Sequence, residues 1–278
     1  MGVFDWLFST KPVEILESPI VRNPDFSNFK AVTDFIYEKS GIIDLDKRAL
    51  TSSRLQKHAL SQELYTTNEF IQAMNNDNKF LQEVLNIATV NETFFMREYN
   101  ELEWLIQYIK KSNKNLKILS MPSSSGEEVY SILLLMLQNN LDLNRIEIQG
   151  YDINSDAVKN AQIGMYDEHS LHKIDVNLKN RYFDKNTSGT YEIMPMIKDA
   201  TKFEQKNIFD LPNNLKFDVI LSRNMFIYFD SEKRDKALDI IVNALNPEGI
   251  YIKGHADYIK EHSELTNIEY GVYQKNSF

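Results

Sequence analysis

The sequence predicts an α/β protein: a Rossmann-like, doubly wound domain in the second half, interrupted by a small antiparallel β-subdomain and preceded by a small all-α domain. Three observations carry this prediction. Between Asp25 and Val90 the apolar residues recur at spacings of three and four, the period of amphipathic helices. Beyond residue 113, short apolar runs alternate with helical stretches, the order that builds a parallel sheet with right-handed crossovers. Between two such units, Ser188-Gly189 and the alternating run Thr190 to Met196 read as a hairpin where a crossover helix would otherwise stand.

Taken in order, residues 1–20 form an N-terminal extension. Its apolar cluster, Val3, Phe4, Trp6, Leu7 and Phe8, carries Asp5 and lacks both a basic start and a long apolar core, so it does not read as a signal peptide. Phe4, Trp6 and Phe8 leave open a short docking or membrane-touching element against a locally packed terminus. Residues 21–90 make the helical domain, with one stripe from Phe29, Val32, Phe35 and Ile36 and another from Phe70, Ile71 and Met74. Gly41, after Glu38-Lys39-Ser40, suits a helix C-cap. Residues 91–112 are a linker and a linking helix, Glu101 to Lys111. The α/β domain, 113–278, follows: strand Leu116 to Leu119, helix Glu127 to Leu137, strand Ile146 to Tyr151, and helix Asp156 to Ile163. The insertion covers about 167–203, and then come strand Phe217 to Leu221, helix Lys233 to Leu245 and strand Gly249 to Lys253.

Composition narrows the function. A net charge of -9 and a pI of about 5.2 remove the basic field by which most nucleic-acid binders release counterions, so nucleic acid is not expected as a partner. With no cysteine, neither disulfides nor thiolate metal sites are available, which fits a reducing cytoplasm. His58, His169, His172, His255 and His262 are scattered without ligand spacing, and no metal is expected. No window approaches the roughly 20 consecutive apolar residues of a membrane span. Within the helical domain, Lys47, Arg48, Arg54, Lys57 and His58 make a locally basic patch, either a solvated helix face or a docking face for an acidic partner.

Ligands of doubly wound sheets bind outside the carboxyl ends of the strands, so candidate ligand contacts fall in the loops after the first, second and fourth strands. The first, Ser120-Met121-Pro122-Ser123-Ser124-Ser125-Gly126-Glu127-Glu128, is made of small residues but lacks G-x-G-x-x-G. Two carboxylates open its helix, complement the helix N-terminus themselves and would repel a phosphate; a cationic or neutral ligand fits better. Asp152, at the end of the second strand, stands where an acidic side chain accepts hydrogen bonds from ribose hydroxyls. A nucleoside site that welcomes positive charge points to S-adenosylmethionine. The third loop, Leu221 to Phe229, contains Tyr228, either a core tyrosine or a hydroxyl lining a substrate site. Asn91-Glu92-Thr93-Phe94-Phe95-Met96-Arg97 packs aromatic bulk between polar groups, and Arg97 either snorkels to solvent or is held for an anion.

Together these segments resemble the CheR family of S-adenosylmethionine-dependent methyltransferases, which esterify glutamates of bacterial chemotaxis receptors. The family's N-x-T-x-F-F-R is similar to Asn91, Thr93, Phe95 and Arg97, with Met96 in place of the second Phe. Its S-T-G-E-E-P-Y-S resembles Ser124 to Ser131, departing at Ser125 and Val129. Its D-I and A-x-x-G-x-Y elements resemble Asp152-Ile153 and Ala161 to Tyr166, and its C-R-N-x-x-I-Y-F-D resembles Ser222 to Asp230, with Ser for Cys. Gly254-His255 matches its G-H pair. The resemblance covers most of the chain and implies a class I methyltransferase domain with a β-subdomain for receptor docking. It implies cofactor contacts at Asn91, Thr93, Arg97, Glu128, Asp152, Asn207, Ile208, Arg223 and Asn224, and places Arg97 and Tyr228 at the reaction. The expected partner is the cytoplasmic domain of methyl-accepting chemotaxis receptors, the expected product S-adenosylhomocysteine, and the expected state a monomer.

The expected reaction is in-line methyl transfer to a glutamate oxygen. Glutamate, with a reference pKa of about 4.3, is already an anion at neutral pH, so no general base is required. Rate is expected from placing the oxygen within about 3 to 3.5 Å of the methyl carbon, with Arg97 and Tyr228 orienting it. Lys47, Arg48, Arg54, Lys57 and His58 would steer an acidic receptor helix. Two alternatives remain at this point: an S-adenosylmethionine-binding interaction module, and a methyltransferase for another acceptor.

Overall fold

The computed structural model describes residues 22–277. The extension carrying Phe4, Trp6 and Phe8 lies outside the described residues. Four helices come first: α1 (Phe29–Ser40), α2 (Ala49–Ser61), α3 (Thr67–Asn76) and α4 (Asn78–Ala88). Their ends are set by local chemistry. Gly41, at φ 76°, closes α1 in the left-handed conformation and donates its N–H to Tyr37 O. Thr66 and Glu69 form a reciprocal capping box on α3, and the Asp77 carboxylate accepts from Lys79 N and Phe80 N to start α4. The apolar stripes meet in one cluster of Val32, Ile36, Leu55, Phe70, Met74, Phe80 and Val84. Burying each such large side chain contributes about 1.5 to 3 kcal/mol.

The helix α5 (Tyr99–Lys111) leads into a seven-stranded sheet. Its strands are β1 (Leu116–Ser120), β2 (Ile146–Asp152), β6 (Thr201–Gln205), β7 (Phe217–Ser222), β8 (Leu245–Lys253), β9 (Leu265–Glu269) and β10 (Val272–Lys275). The spatial order is β6-β2-β1-β7-β8-β10-β9. The first five run parallel, and β10 is antiparallel to both β8 and β9. Ile118 on β1 stands level with Ile148 on β2 and Val219 on β7, so the apolar runs share register across the middle of the sheet. Helices α6 (Glu127–Gln138), α7 (Ser155–Ile163) and α10 (Ser231–Ala244) cover the faces. The strand order reverses between β1 and β7, which opens a crevice at their carboxyl ends.

A second sheet, ordered β3-β5-β4, holds β3 (Met165–Tyr166), β4 (Phe183–Lys185) and β5 (Tyr191–Ile193), with α8 (Val176–Tyr182) between β3 and β4 in the chain. The hairpin read around Ser188-Gly189 is the β4–β5 turn. The 167–203 boundary needs correction at both ends. The small sheet starts at Met165, and Thr201 to Phe203 belong to β6, which pairs with Ile148 to Gly150 of β2 and extends the main sheet. β6 shows little apolar alternation because only Phe203 on it is buried. The hairpin β9–β10 was not read from the sequence either: β9 is solvated along nearly its whole length, so no buried face imprints a period on it.

The helical layer holds the turn after β2 directly. Gln82 Nε2 donates to Ile153 O at 2.8 Å, Asn86 Nδ2 to Ser155 Oγ at 2.9 Å, and Asn154 Nδ2 to Thr89 Oγ1 at 2.6 Å. The layer therefore roofs the crevice.

Candidate functional site

At the carboxyl ends of β1, β2 and β7, beneath the helical layer, lie two joined cavities of about 150 and 80 Å³. They share Val90, Asn91, Pro122, Asp152 and Tyr228. The larger is polar and charged, with Thr93, Arg97, Ser123, Ser124, Glu128, Arg223 and Asn224 in its wall. The smaller is mostly apolar, walled by Ile42, Met121, Ile153, Ile208, Met225 and Phe229, with Lys206 and Asn207 at its edge. Lys206 Nζ stands 4.3 Å from the centre of the Tyr151 ring.

The polar lobe is wired by one guanidinium. Arg223, 3 % exposed at its side chain, leaves the end of β7 and donates through Nη1 to Glu128 Oε2 at 2.6 Å and through Nε to Glu98 Oε2 at 3.3 Å. Its Nη2 donates to the Arg97 carbonyl. Glu128 also accepts from Ser120 Oγ at 2.9 Å, so β1, α6 and β7 are tied at one point. Glu98 collects Arg223, the His255 N–H at 3.2 Å and Asn224 Nδ2 at 3.2 Å. Burial acts to raise the Glu98 carboxyl, but Arg223, His255 and Asn224 outweigh it and hold its pKa below the ordinary value. Glu98 lies one position past the Asn91–Arg97 motif, so no sequence pattern marks it. It occupies the left-handed region at φ 49°, as does Met96 at 59°, so Arg97 sits between two strained residues. Ser124 at 47° and Asn224 at 59° add two more at the cavity wall.

Asp152 is 3 % exposed. Its oxygens each accept one backbone N–H, from Ser124 and Asn154, both at 2.8 Å, and each keeps a lone pair for a ligand hydroxyl. Burial pushes its carboxyl up to about 6 against those two hydrogen bonds. The neighbouring pair of carboxylates divides: Glu128 faces the cavity, whereas Glu127 turns inward, accepts from Ser125 Oγ at 2.8 Å and is raised by burial to about 7. Ser123 Oγ and Ser124 Oγ are buried without a hydrogen-bond partner among the described residues, and both residues line the polar lobe. Such orphaned donors fit a polar ligand there.

The loop that carries Asn224 to Tyr228 is held from below by Asp257, a second residue the sequence reading passed over. It accepts from Asn224 N at 2.6 Å, Phe226 N at 2.9 Å and Gly254 N at 3.1 Å. Burial raises its carboxyl to about 6 despite those bonds. Gly254 is required by close approach, since a Cβ there would stand 2.7 Å from Asn224 N.

All ten residues with a predicted cofactor or reaction role line one of the two lobes. Asn91, Thr93, Arg97, Glu128, Asp152, Arg223, Asn224 and Tyr228 line the polar lobe; Asn207 and Ile208 line the apolar one. Arg97 Nη1 donates to Glu92 O at 2.7 Å, which holds the side chain at the rim. Tyr228 is half-buried; burial raises its phenol, with Arg48 and Arg97 pulling the other way. The basic patch divides. Arg54 and His58 line a groove that shares Val90, Asn91 and Glu92 with the polar lobe. Arg48 instead turns over the Tyr228 ring at 5.4 Å, Lys47 is paired with Asp44 at 2.6 Å, and Lys57 is exposed outside that groove. His58 stacks on Phe80 and lies 3.3 Å from Glu83.

This arrangement can take a nucleoside in the apolar lobe, with its ribose on Asp152, and a zwitterionic tail among Arg97, Glu128 and Arg223. Comparison with known proteins names the family. The model of the CheR methyltransferase, SAM binding domain, matches residues 91–273. The chain belongs to the CheR methyltransferase family. Its relatives in that family include the chemotaxis protein methyltransferase of Campylobacter jejuni, 36% identical over 228 residues, 81% of this chain and 86% of that one. Chemotaxis protein methyltransferase 2 of Vibrio cholerae is 31% identical over 268 residues, 90% of this chain and 91% of its own. Among solved structures, an O-methyltransferase from Nostoc punctiforme aligns with 63% of this chain and 39% of its own at TM-score 0.36 and 16% identity, too distant to bear on the site. As a CheR methyltransferase the chain is an S-adenosylmethionine-dependent enzyme, and the two-lobed cavity has the donors and the apolar wall that this cofactor needs. No helix among the described residues is long and apolar enough to cross a membrane.

Proposed function

We propose that the chain methylates glutamate side chains on the cytoplasmic domains of chemotaxis receptors, forming methyl esters, and that it works as a cytoplasmic monomer. The observation that supports this most directly is the meeting of Arg97 and Tyr228 in the lobe that also holds Asp152, Glu128 and Arg223. When bound, S-adenosylmethionine supplies a methyl group on a positively charged sulfur, an activated donor that needs no metal or added nucleophile.

The protein's own contribution is placement and charge. Asp152 takes the ribose hydroxyls, and Asn207 and Ile208 bound the base pocket. Glu128 and Asn224 take the donors of the tail, with Asn91 and Thr93 closing its open side. Arg97, anchored by Glu92 O, guides the acceptor carboxylate to the rim, and the Tyr228 hydroxyl orients the attacking oxygen. The acceptor is an anion at neutral pH, so no residue has to remove a proton. Positioning rather than full neutralisation is required, because a carboxylate bound too tightly is a poorer nucleophile.

Outside the two lobes, Arg54 lines the neighbouring groove with His58 and offers positive charge to an acidic receptor helix, while Arg48 stacks over the Tyr228 ring. The test is transfer of tritiated methyl from labelled S-adenosylmethionine to receptor-containing membranes, followed by base. Release of volatile methanol identifies a carboxyl methyl ester. Cofactor binding without transfer would replace this reading with an interaction module or a different acceptor.

A further inference from the structure

On the far side of Glu98 from the cofactor lobe, α5, the β8–β9 connection and the β9–β10 turn enclose a second cavity of about 330 Å³. Its wall holds Asn100, Glu101, Trp104, His255, Glu269 and Tyr270. Glu101 is 3 % exposed, an unusual place for a carboxylate. Its Oε1 is 2.5 Å from His255 Nε2, while its Oε2 is buried without any hydrogen-bond partner among the described residues. A buried carboxylate oxygen left without a donor keeps its full desolvation cost, so such a group calls for an occupant that satisfies it. The ligand atoms of Glu98, Glu101 and His255 lie within 4.8 Å of one another, close enough to share one ion.

We propose that Glu101 and His255, flanked by Glu98 and Glu269, form a binding site for a divalent transition-metal ion. Imidazole plus carboxylate selects ions such as Zn²⁺, Co²⁺ or Mn²⁺ over Mg²⁺ and Ca²⁺, which favour oxygen alone. The cavity leaves room for water in the remaining positions. His255 is 46% exposed at its side chain, which provides an entry path. The role is structural: the ion would join α5 to the β8–β9 connection beside Glu98, which holds Arg223 and Asn224. It has no part in methyl transfer. Sequence spacing hides this site, because Glu98 and Glu101 are a helical turn apart whereas His255 lies more than a hundred residues away.

The experiment is titration of Co²⁺ into the chelator-treated full-length chain, followed by visible absorption and by quenching of tryptophan emission. Trp104 lines the cavity and can be separated from the only other tryptophan, Trp6, with Trp104→Phe. The expected result is a saturable band at one ion per chain. His255→Ala, at a half-exposed position, and Glu101→Gln should each weaken binding by at least about tenfold. Absence of a saturable band, or equal affinity in the wild type and the folded His255→Ala protein, would overturn the assignment. Neither outcome depends on methyltransferase activity.

Discussion

Arg223 and Glu128 form a hydrogen-bonded ion pair at 2.6 Å in the wall of the polar lobe, joining the end of β7 to the first turn of α6. The pair straddles the point where strand order reverses, so the site's charge pattern and the sheet's topology are built from the same contact. Each partner has further support: Ser120 on Glu128, and Glu98 on Arg223. Such a pair is expensive to break from one side, because the survivor is left buried and unmatched. Glu128→Gln keeps the shape and removes the charge. Cofactor dissociation constants should rise about tenfold, close to 1.4 kcal/mol, in equilibrium binding.

Glu98→Gln should act by another route. It leaves the lobe's lining intact but loosens Arg223 and Asn224, since a neutral amide is a weaker acceptor for their donors. The expected result is a loss of cofactor affinity in calorimetry, with the Michaelis constant for the protein acceptor unchanged. A change in the acceptor constant alone would show that Glu98 does not act through the cofactor side.

Tyr228→Phe should lower turnover with little loss of cofactor affinity, because the ring and its contact with Arg48 survive while the hydroxyl is lost. Equal turnover in the two proteins would remove the orienting role.

Asp152 contributes one part of the pH dependence, beside Asp257 and Glu127, whose carboxyls burial also raises. Its folded pKa is raised, to about 6 from an ordinary 3.8, so the folded chain binds more protons than the unfolded chain between those values. That contribution to stability is fully present below about pH 4 and is lost as pH rises through 6. Asp152→Asn should therefore flatten this part of the stability curve in denaturant titrations between pH 4 and 7. Cofactor binding should run the opposite way, strengthening as pH rises through about 6 and the carboxylate becomes the better acceptor. In Asp152→Asn, binding should be weak and should lose the part of its pH dependence that Asp152 supplies.

Asp257→Asn tests the support of the loop from Asn224 to Tyr228. One carboxylate accepts three backbone N–H groups there, and an asparagine oxygen cannot replace both acceptors. A loss of about 1 to 3 kcal/mol in chemical denaturation is expected, together with reduced turnover.

Arg54→Glu separates steering from chemistry. The Michaelis constant for receptor should rise, as it should with added salt, while cofactor affinity stays constant. A salt-insensitive constant would count against the groove as the receptor's approach.

The lining of the two lobes was legible because its residues belong to short segments, most of which follow strands. Asn91 to Arg97, Ser120 to Glu128, Asp152 and Leu221 to Phe229 each carry their chemistry within a few positions, and the α/β order brings strand ends to one edge. The residues that support them were not readable. Glu98 and Asp257 act on the loop after β7 from 125 and 33 positions away, and no local pattern reports such a pairing. The basic patch shows the converse. Five neighbours in sequence resemble one surface, but side-chain direction sends Arg48 to Tyr228, Lys47 to Asp44 and Arg54 and His58 to the groove.

The sequence by itself determined the helical half, the parallel sheet, the order of the motifs and the kind of ligand they take, because helix period, strand period and loop chemistry are local properties. Only the tertiary structure decided that Glu127 turns inward onto Ser125, where the inserted sheet ends, and that Glu98, Glu101 and His255 come together. Those outcomes depend on burial and on long-range hydrogen bonds, which exist only once distant segments have packed.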